Sequence, residues 1–235
     1  MTKIVHPYAH RLGILRDWKS RWFAGSAKKN REFIRTDAAI RTFLKTRLRG
    51  SYVSHIEIER SQKDLRVQIH TARPGMVIGR SGENATKLKK DLSQLMKTLK
   101  LSSVPNLHLD IIEIRSPESN AAIVAGMAVE GLEKRLPFRR VLKQTIDKAM
   151  ANRDVQGVRI AVSGMLGAAS MSRKEELKKG RIPLQTFRSD IDYAQDEAHL
   201  PLGTIGIKVW IYRGDVFADR TRTERGGSSE NASRG

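Results

Sequence analysis

The chain has 235 residues, 39% of them hydrophobic, which is enough for two ordinary domains each to bury a core. Its 44 Lys and Arg against 25 Asp and Glu leave a formal charge of +19 and a pI near 10.5, so the expected partner is a polyanion, nucleic acid ahead of an anionic membrane. No apolar run approaches the roughly 18 residues of a membrane span, and His6, His10 and Arg11 interrupt any signal-peptide core. The absence of cysteine excludes disulfides and thiolate metal sites and fits a reducing compartment.

Residues 1–35 read as a basic, irregular arm in which Trp18, Trp22 and Phe23 alternate with Arg11, Arg16, Lys19 and Arg21. Aromatics among cations can stack on bases while neutralising phosphates. They can equally pin the arm to the folded body, and the pattern allows both. From Thr36 to Gly50, apolar residues at Ala39, Ile40, Phe43, Leu44 and Leu48 follow a helical period, and Gly50 can end that helix. Val53–Ile58 and Leu65–Ile69 alternate in the manner of strands, with Ser61–Asp64 as the turn between them. A short segment from Pro74 to Ile78 leads into Gly79-Arg80-Ser81-Gly82. Two glycines three apart allow a tight turn and close approach to another chain. The helix that follows offers unpaired amides, which favour phosphate, and Arg80 adds a cation. That helix carries Leu88, Leu92, Leu95, Met96 and Leu99 on one face, with Lys87, Lys89, Lys90 and Lys97 elsewhere. Leu107, Leu109, Ile111 and Ile114 suggest a third strand. The order helix, strand, strand, short helix, GxxG, helix, strand resembles a KH domain of the bacterial, type II, arrangement over residues 36–116. Such a module clamps a short single-stranded stretch of RNA backbone.

The chain divides near Pro117, and residues 117–217 read as a second α+β domain, two helices against a small sheet. Ala121–Leu136 is rich in small residues and helical, and Pro137 starts another helix. In that helix Phe138, Val141, Leu142, Thr145 and Ala149 form a core-facing side. Arg139, Arg140 and Lys143 lie within about one turn on another side. Such a patch can hold phosphates without reading sequence, or can be a solvated face. Val158–Val162 and Ile205–Tyr212 alternate as strands, with Leu184–Tyr193 a weaker third. Residues 218–235 lack an apolar face and read as a disordered tail.

The whole arrangement up to about residue 216 resembles the family of the bacterial-type small-subunit ribosomal protein number three. Val5-His6-Pro7 with Arg11-Leu12-Gly13 is similar to its N-terminal signature, and Ile69–Gly75 with the GxxG loop to its KH core. Phe138-Arg139-Arg140 with Lys143 resembles its basic helix. Gly180–Leu184, Asp190–Tyr193, Glu197–His199 and Gly206–Ile211 follow its C-terminal signatures in order. The chain departs from the pattern at Ala9, at Met165 and Ala168 in what is usually a GRLGG run, at Ser170, and at Glu176-Leu177 near the place of an aromatic pair.

The resemblance implies a structural, cytoplasmic role in the head of the small ribosomal subunit, bound to 16S-type ribosomal RNA. The small-subunit proteins numbered ten and fourteen would be neighbours there, and proteins four and five would flank the channel through which messenger RNA enters. Arg139, Arg140 and Lys143 would face the incoming messenger and help the moving ribosome unwind it. Gly79, Arg80, Ser81 and Gly82 would form the RNA-binding loop. His6, Arg11, Arg16, Trp18, Lys19, Arg21 and Trp22 would contact ribosomal RNA. No catalytic residue, cofactor or metal is expected, and no GxxxxGK[ST] phosphate loop occurs. Two rival readings are a magnesium nuclease built on Asp190, Asp192, Asp196 and Glu197, and a free-standing KH-domain regulator that binds RNA. The second explains residues 36–115 but leaves the C-terminal signatures unaccounted for.

Overall fold

The computed structural model describes residues 5–61, 63–99, 106–201 and 203–217. The expected disordered tail lies outside the described residues.

The N-terminal arm is more ordered than its composition suggests. It contains a helical turn, α1 (Pro7–His10), and a two-residue strand, β1 (Ser20–Arg21). Helix α2 runs from Ala27 to Arg47, starting well before Thr36. Ser26 caps it by accepting a hydrogen bond from the Lys29 amide. The extra turns are polar and solvated, so they carry little apolar periodicity to read. Strands β2 (Val53–Arg60) and β3 (Asp64–Thr71) form the expected antiparallel hairpin. Helix α3 (Pro74–Ile78) leads through the glycine loop into α4 (Glu83–Thr98), and β4 (Asn106–Glu113) then pairs parallel to β3. The sheet order is β1-β2-β3-β4, with β1 parallel to β2. Ile40, Leu44, Ile58, Leu65, Val67, Ile69, Leu92 and Met96 form the buried core under its inner face. This is the KH arrangement of the bacterial type.

A 3-10 turn, Pro117–Ser119, leads from the KH sheet into the C-terminal half. Helix α5 (Ala121–Glu133) is capped by Asn120, whose side-chain oxygen accepts from the Ala122 amide. It stops short of Leu136, because Arg135 turns into the left-handed region at φ 57°. Pro137 immediately precedes α6 (Phe138–Met150). The sheet is four-stranded and antiparallel, in the order β6-β5-β8-β7. It is built from β5 (Gly157–Gly164), β6 (Arg173–Gly180), β7 (Ser189–Leu200) and β8 (Gly203–Asp215). Both helices cover one face, where Ile146, Val158, Ile160, Val162, Ile207, Val209 and Ile211 are buried.

Two expectations about this sheet change. Strand β6 reads Arg-Lys-Glu-Glu-Leu-Lys-Lys-Gly and has no apolar alternation, since as an edge strand it is almost wholly exposed. The weak third strand is real but starts at Ser189 and not Leu184, because residues 183–186 turn to present carbonyls to the arm.

The two domains are joined by more than their linker. Arg49 pairs with Glu133, the Tyr52 hydroxyl donates to Glu130, Lys45 meets Asp196 at 3.1 Å, and the Asn120 amide donates to Ser54 Oγ at 2.6 Å. A side chain at Gly126 would crowd the Tyr52 ring, whose nearest atom is 3.3 Å from the place a Cβ would take.

Candidate nucleic-acid interface

The glycine loop depends on backbone shapes that side chains resist. Gly79 has φ 75° and ψ −179°, a region essentially restricted to glycine, and a Cβ there would meet the Asn84 side chain at 2.7 Å. Ser81 and Gly82 follow with φ 52° and 77°. The chain thus reverses between α3 and α4 in a single tight turn. Gly82 occupies the N-cap of α4 without a side-chain cap, and the first amide of α4, at Glu83, donates to the Arg80 carbonyl. Arg80 and Ser81 are exposed, and Arg80 has no acidic partner among the described residues. Met76 and Ile78 expose apolar surface beside the loop. Lys89, Lys90 and Lys97 extend the positive charge along α4, while Lys87 faces Glu83 at 3.7 Å.

The second basic locus is α6. Val141, Leu142, Thr145, Ile146 and Ala149 are buried, so the helix is anchored along one side. Arg139, Arg140 and Lys143 all stand exposed on the other. They are not equivalent. Arg139 reaches Glu175 on β6 with two contacts of 3.2 Å, and this hydrogen-bonded pair holds the Glu175 carboxyl below its ordinary pKa. Arg140 has no acidic partner among the described residues, whereas Lys143 lies in the field of Asp147 one turn further along α6. Strand β6 packs beside α6 and adds Arg173, Lys174, Lys178 and Lys179, which sequence reasoning missed. Lys179 is spent on Asp147 at 2.8 Å. Four cations in eight residues were a visible signal, but without apolar alternation they did not read as a strand.

The arm divides into pins and free groups. Arg11, which the sequence places among RNA-contacting cations, is instead fully buried, at 0% exposure. Its guanidinium donates to the carbonyls of Pro7, Leu184, Thr186 and Ser189, so it ties the arm to the second domain. His6 meets Tyr193 edge-on at 4.7 Å, and His10 stacks on Phe187 at 4.1 Å. Arg16 pairs with Asp190 at 2.6 Å, and Arg21 lies among Asp17, Glu57 and Glu59. Trp22 donates its indole N–H to Asp37 at 2.8 Å and packs against Phe33. Lys19 stands over the Tyr8 ring at 4.7 Å. Trp18 (63% exposed) and Phe23 (91%) remain open to solvent. The pinning reading therefore describes Arg11, Arg16 and Trp22, and the stacking reading stays available to Trp18 and Phe23.

The acidic residues of the nuclease reading do not converge. Asp190 is held by Arg16, Asp192 by Arg213 at 3.0 Å and by the Ala121 amide, and Asp196 by Lys45. They neutralise cations and tie elements together.

Comparison with known proteins accounts for both halves. The KH domain model matches residues 39–119, and the model for ribosomal protein S3, C-terminal domain, matches residues 129–211. Small ribosomal subunit protein uS3 of Caldicellulosiruptor bescii is 45% identical over 228 residues, covering 97% of this chain and 99% of that protein. The uS3 protein of Endomicrobium trichonymphae is 47% identical over 213 residues, 91% of this chain and 88% of its own. That of Nitrosococcus oceani is 42% identical over 229 residues, 97% and 99% respectively. With a KH fold, a matching C-terminal domain and relatives aligned along nearly the whole chain, the protein belongs to the family of small ribosomal subunit protein uS3.

Proposed function

We propose that the protein is a structural constituent of the small-subunit head in bacterial-type, cytoplasmic ribosomes. There it binds 16S-type ribosomal RNA and lines the channel through which messenger RNA enters. Its neighbours in this reading are proteins ten and fourteen of the head and proteins four and five beside the channel. The observation that carries the messenger role is α6. Its buried side is fixed against the sheet, so Arg140 and Lys143 are held at a defined, exposed place, Arg140 without an acidic partner among the described residues and Lys143 in no direct ion pair, since Asp147 pairs with Lys179. Arg139 is held by Glu175 and has to exchange that carboxylate for a phosphate before it can take part. Fixed cations hold a phosphate backbone without reading its bases. Work for unwinding would come from translocation, and the cations would keep separated strands from closing. The exposed GxxG turn, with Arg80 free of an acidic partner among the described residues, supports contact with RNA backbone at the other domain.

The test is elongation by ribosomes carrying Arg139→Ala, Arg140→Ala and Lys143→Ala together. Assembly should persist, because alanine favours helix and these side chains lie off the buried face. A messenger with a stable hairpin should be read more slowly, and an unstructured one at near-normal speed. Equal slowing on both would assign the patch to assembly or general messenger affinity. No slowing on either would make it a solvated face.

A further inference from the structure

We propose that the outer face of the β2–β3 hairpin carries a zinc site formed by His55, Glu57 and His70. His55 and Glu57 are two apart on β2 and so share a face, and His55 is paired directly with His70 on β3. Their neighbours Ile56, Ile58 and Ile69 point the other way into the core. The three side chains each bring one donor atom to a place where all lie within 4.8 Å of one another. Two imidazoles and one carboxylate are a donor set that suits zinc, whereas calcium and magnesium prefer oxygen alone.

Two further features point to a ligand. His70 Nε2 is buried without a hydrogen-bond partner, an unusual state for a polar ring nitrogen. His55 Nδ1 lies 2.9 Å from Ser54 Oγ, which itself accepts from the Asn120 amide at 2.6 Å. Metal-bound histidines commonly have their second nitrogen held in this way. On the other side, His55 Nε2 faces Glu57 Oε1 at 3.4 Å, while Glu57 Oε2 is directed to Arg21 at 3.7 Å. One carboxylate oxygen is therefore left for the site.

The imidazole rings now stack, with centroids 4.1 Å apart and planes 11° from parallel. Binding requires them to tilt about their side-chain torsions so that the lone pairs converge. The three side chains are only half-buried, which leaves room for that motion and a path for the ion. Lys19 and Arg16 oppose a cation here, and Asp192 works against them. The fourth position would be water. Such an ion would clamp the hairpin where the arm and the second domain meet it.

The probe is zinc chloride titrated into the full chain, followed by calorimetry and equilibrium dialysis, with cobalt(II) as a visible substitute. One zinc per chain should bind and raise the unfolding temperature, and cobalt should develop the visible bands of a four-coordinate site. His55→Ala with His70→Ala should abolish all three responses, Ser54→Ala should weaken binding by about tenfold, and His108→Ala should leave it intact. Absence of stoichiometric binding, or binding that survives in the double variant, overturns the site. Should the double variant fail to fold, NMR of the unaltered protein decides. Saturating zinc must shift the His55 and His70 ring resonances, and unmoved rings overturn the proposal.

Discussion

A charged residue's sequence neighbourhood says little about whether its charge is available, and Arg11 makes the point. It sits in a basic arm, yet its guanidinium is sealed among five carbonyls contributed by residues 7, 183, 184, 186 and 189. Burial pushes its pKa down, and Asp190 works in the opposite direction. Replacing it by alanine leaves those carbonyls without their donor and removes the bulk that fills the site. Arg11→Ala is expected to lower stability by about 3 kcal/mol, read by urea denaturation. The RNA affinity of the folded protein should be retained, and a loss of affinity without a loss of stability would contradict the pinning role. Glu130 shows a second long-range dependence. Hydrogen bonds from Lys134 and Tyr52 hold its carboxyl below the ordinary 4.5. A carboxyl depressed in the folded state stabilises the fold above its unfolded pKa, and that contribution is lost as pH falls through the folded value. The contact between the domains should therefore weaken below about pH 4.5. Thermal unfolding from pH 7 to 3.5 checks this, with Tyr52→Phe expected to show a shallower acid dependence than the unaltered protein.

Elements differ in how much they reveal of themselves. Helices α4 and α6 present one apolar side and one charged side, so their period announces both the helix and the surface it leaves for a partner. The glycine loop is equally explicit, since φ 75° with an extended ψ admits little besides glycine. Arg80→Asp with Ser81→Asp is expected to weaken RNA binding while the circular dichroism stays unchanged, because two carboxylates would repel phosphate at a turn that must approach it. Unchanged affinity would reduce the loop to a connection between α3 and α4. The measurement belongs on assembled subunits as well as on free protein, since the two settings can use different faces of the domain. Strand β6 is the opposite case. Its side chains meet solvent, so no alternation marks it, and only its backbone pairing with β5 defines it. Its Glu175 also changes the meaning of Arg139, from a free cation to one that must leave a partner before it can take another.

At the scale of the whole molecule the arm acts as a clasp. β1 pairs with β2 of the KH sheet, while Arg11, Arg16, His6 and His10 engage the second domain. The net charge of +19 survives this internal pairing, because the acids are fewer than the cations they neutralise. Binding of the full chain to single-stranded RNA should therefore fall steeply with salt, with a log–log slope of roughly 0.7 per phosphate contact. Filter binding across a salt series measures it. A flat response would mean that the charge is only a surface property and that the true target is not a polyanion.

The chain alone determines whatever repeats locally: the helical period of α4 and α6, the alternation of β2, β3, β5 and β8, the GxxG turn, the basic side of α6, and the order of motifs that resembles the family. These signals depend on residues within a few positions of each other, and burial of one face imposes them directly on the sequence. Only the tertiary structure decided which charges are free and which side chains meet. Arg11 finds all but one of its carbonyls more than 170 residues away, Asp190 and Asp196 are taken by Arg16 and Lys45, and His55 faces His70 because the hairpin register places them opposite each other. Pairing of this kind is set by strand register and domain docking, and neither leaves a period in the chain.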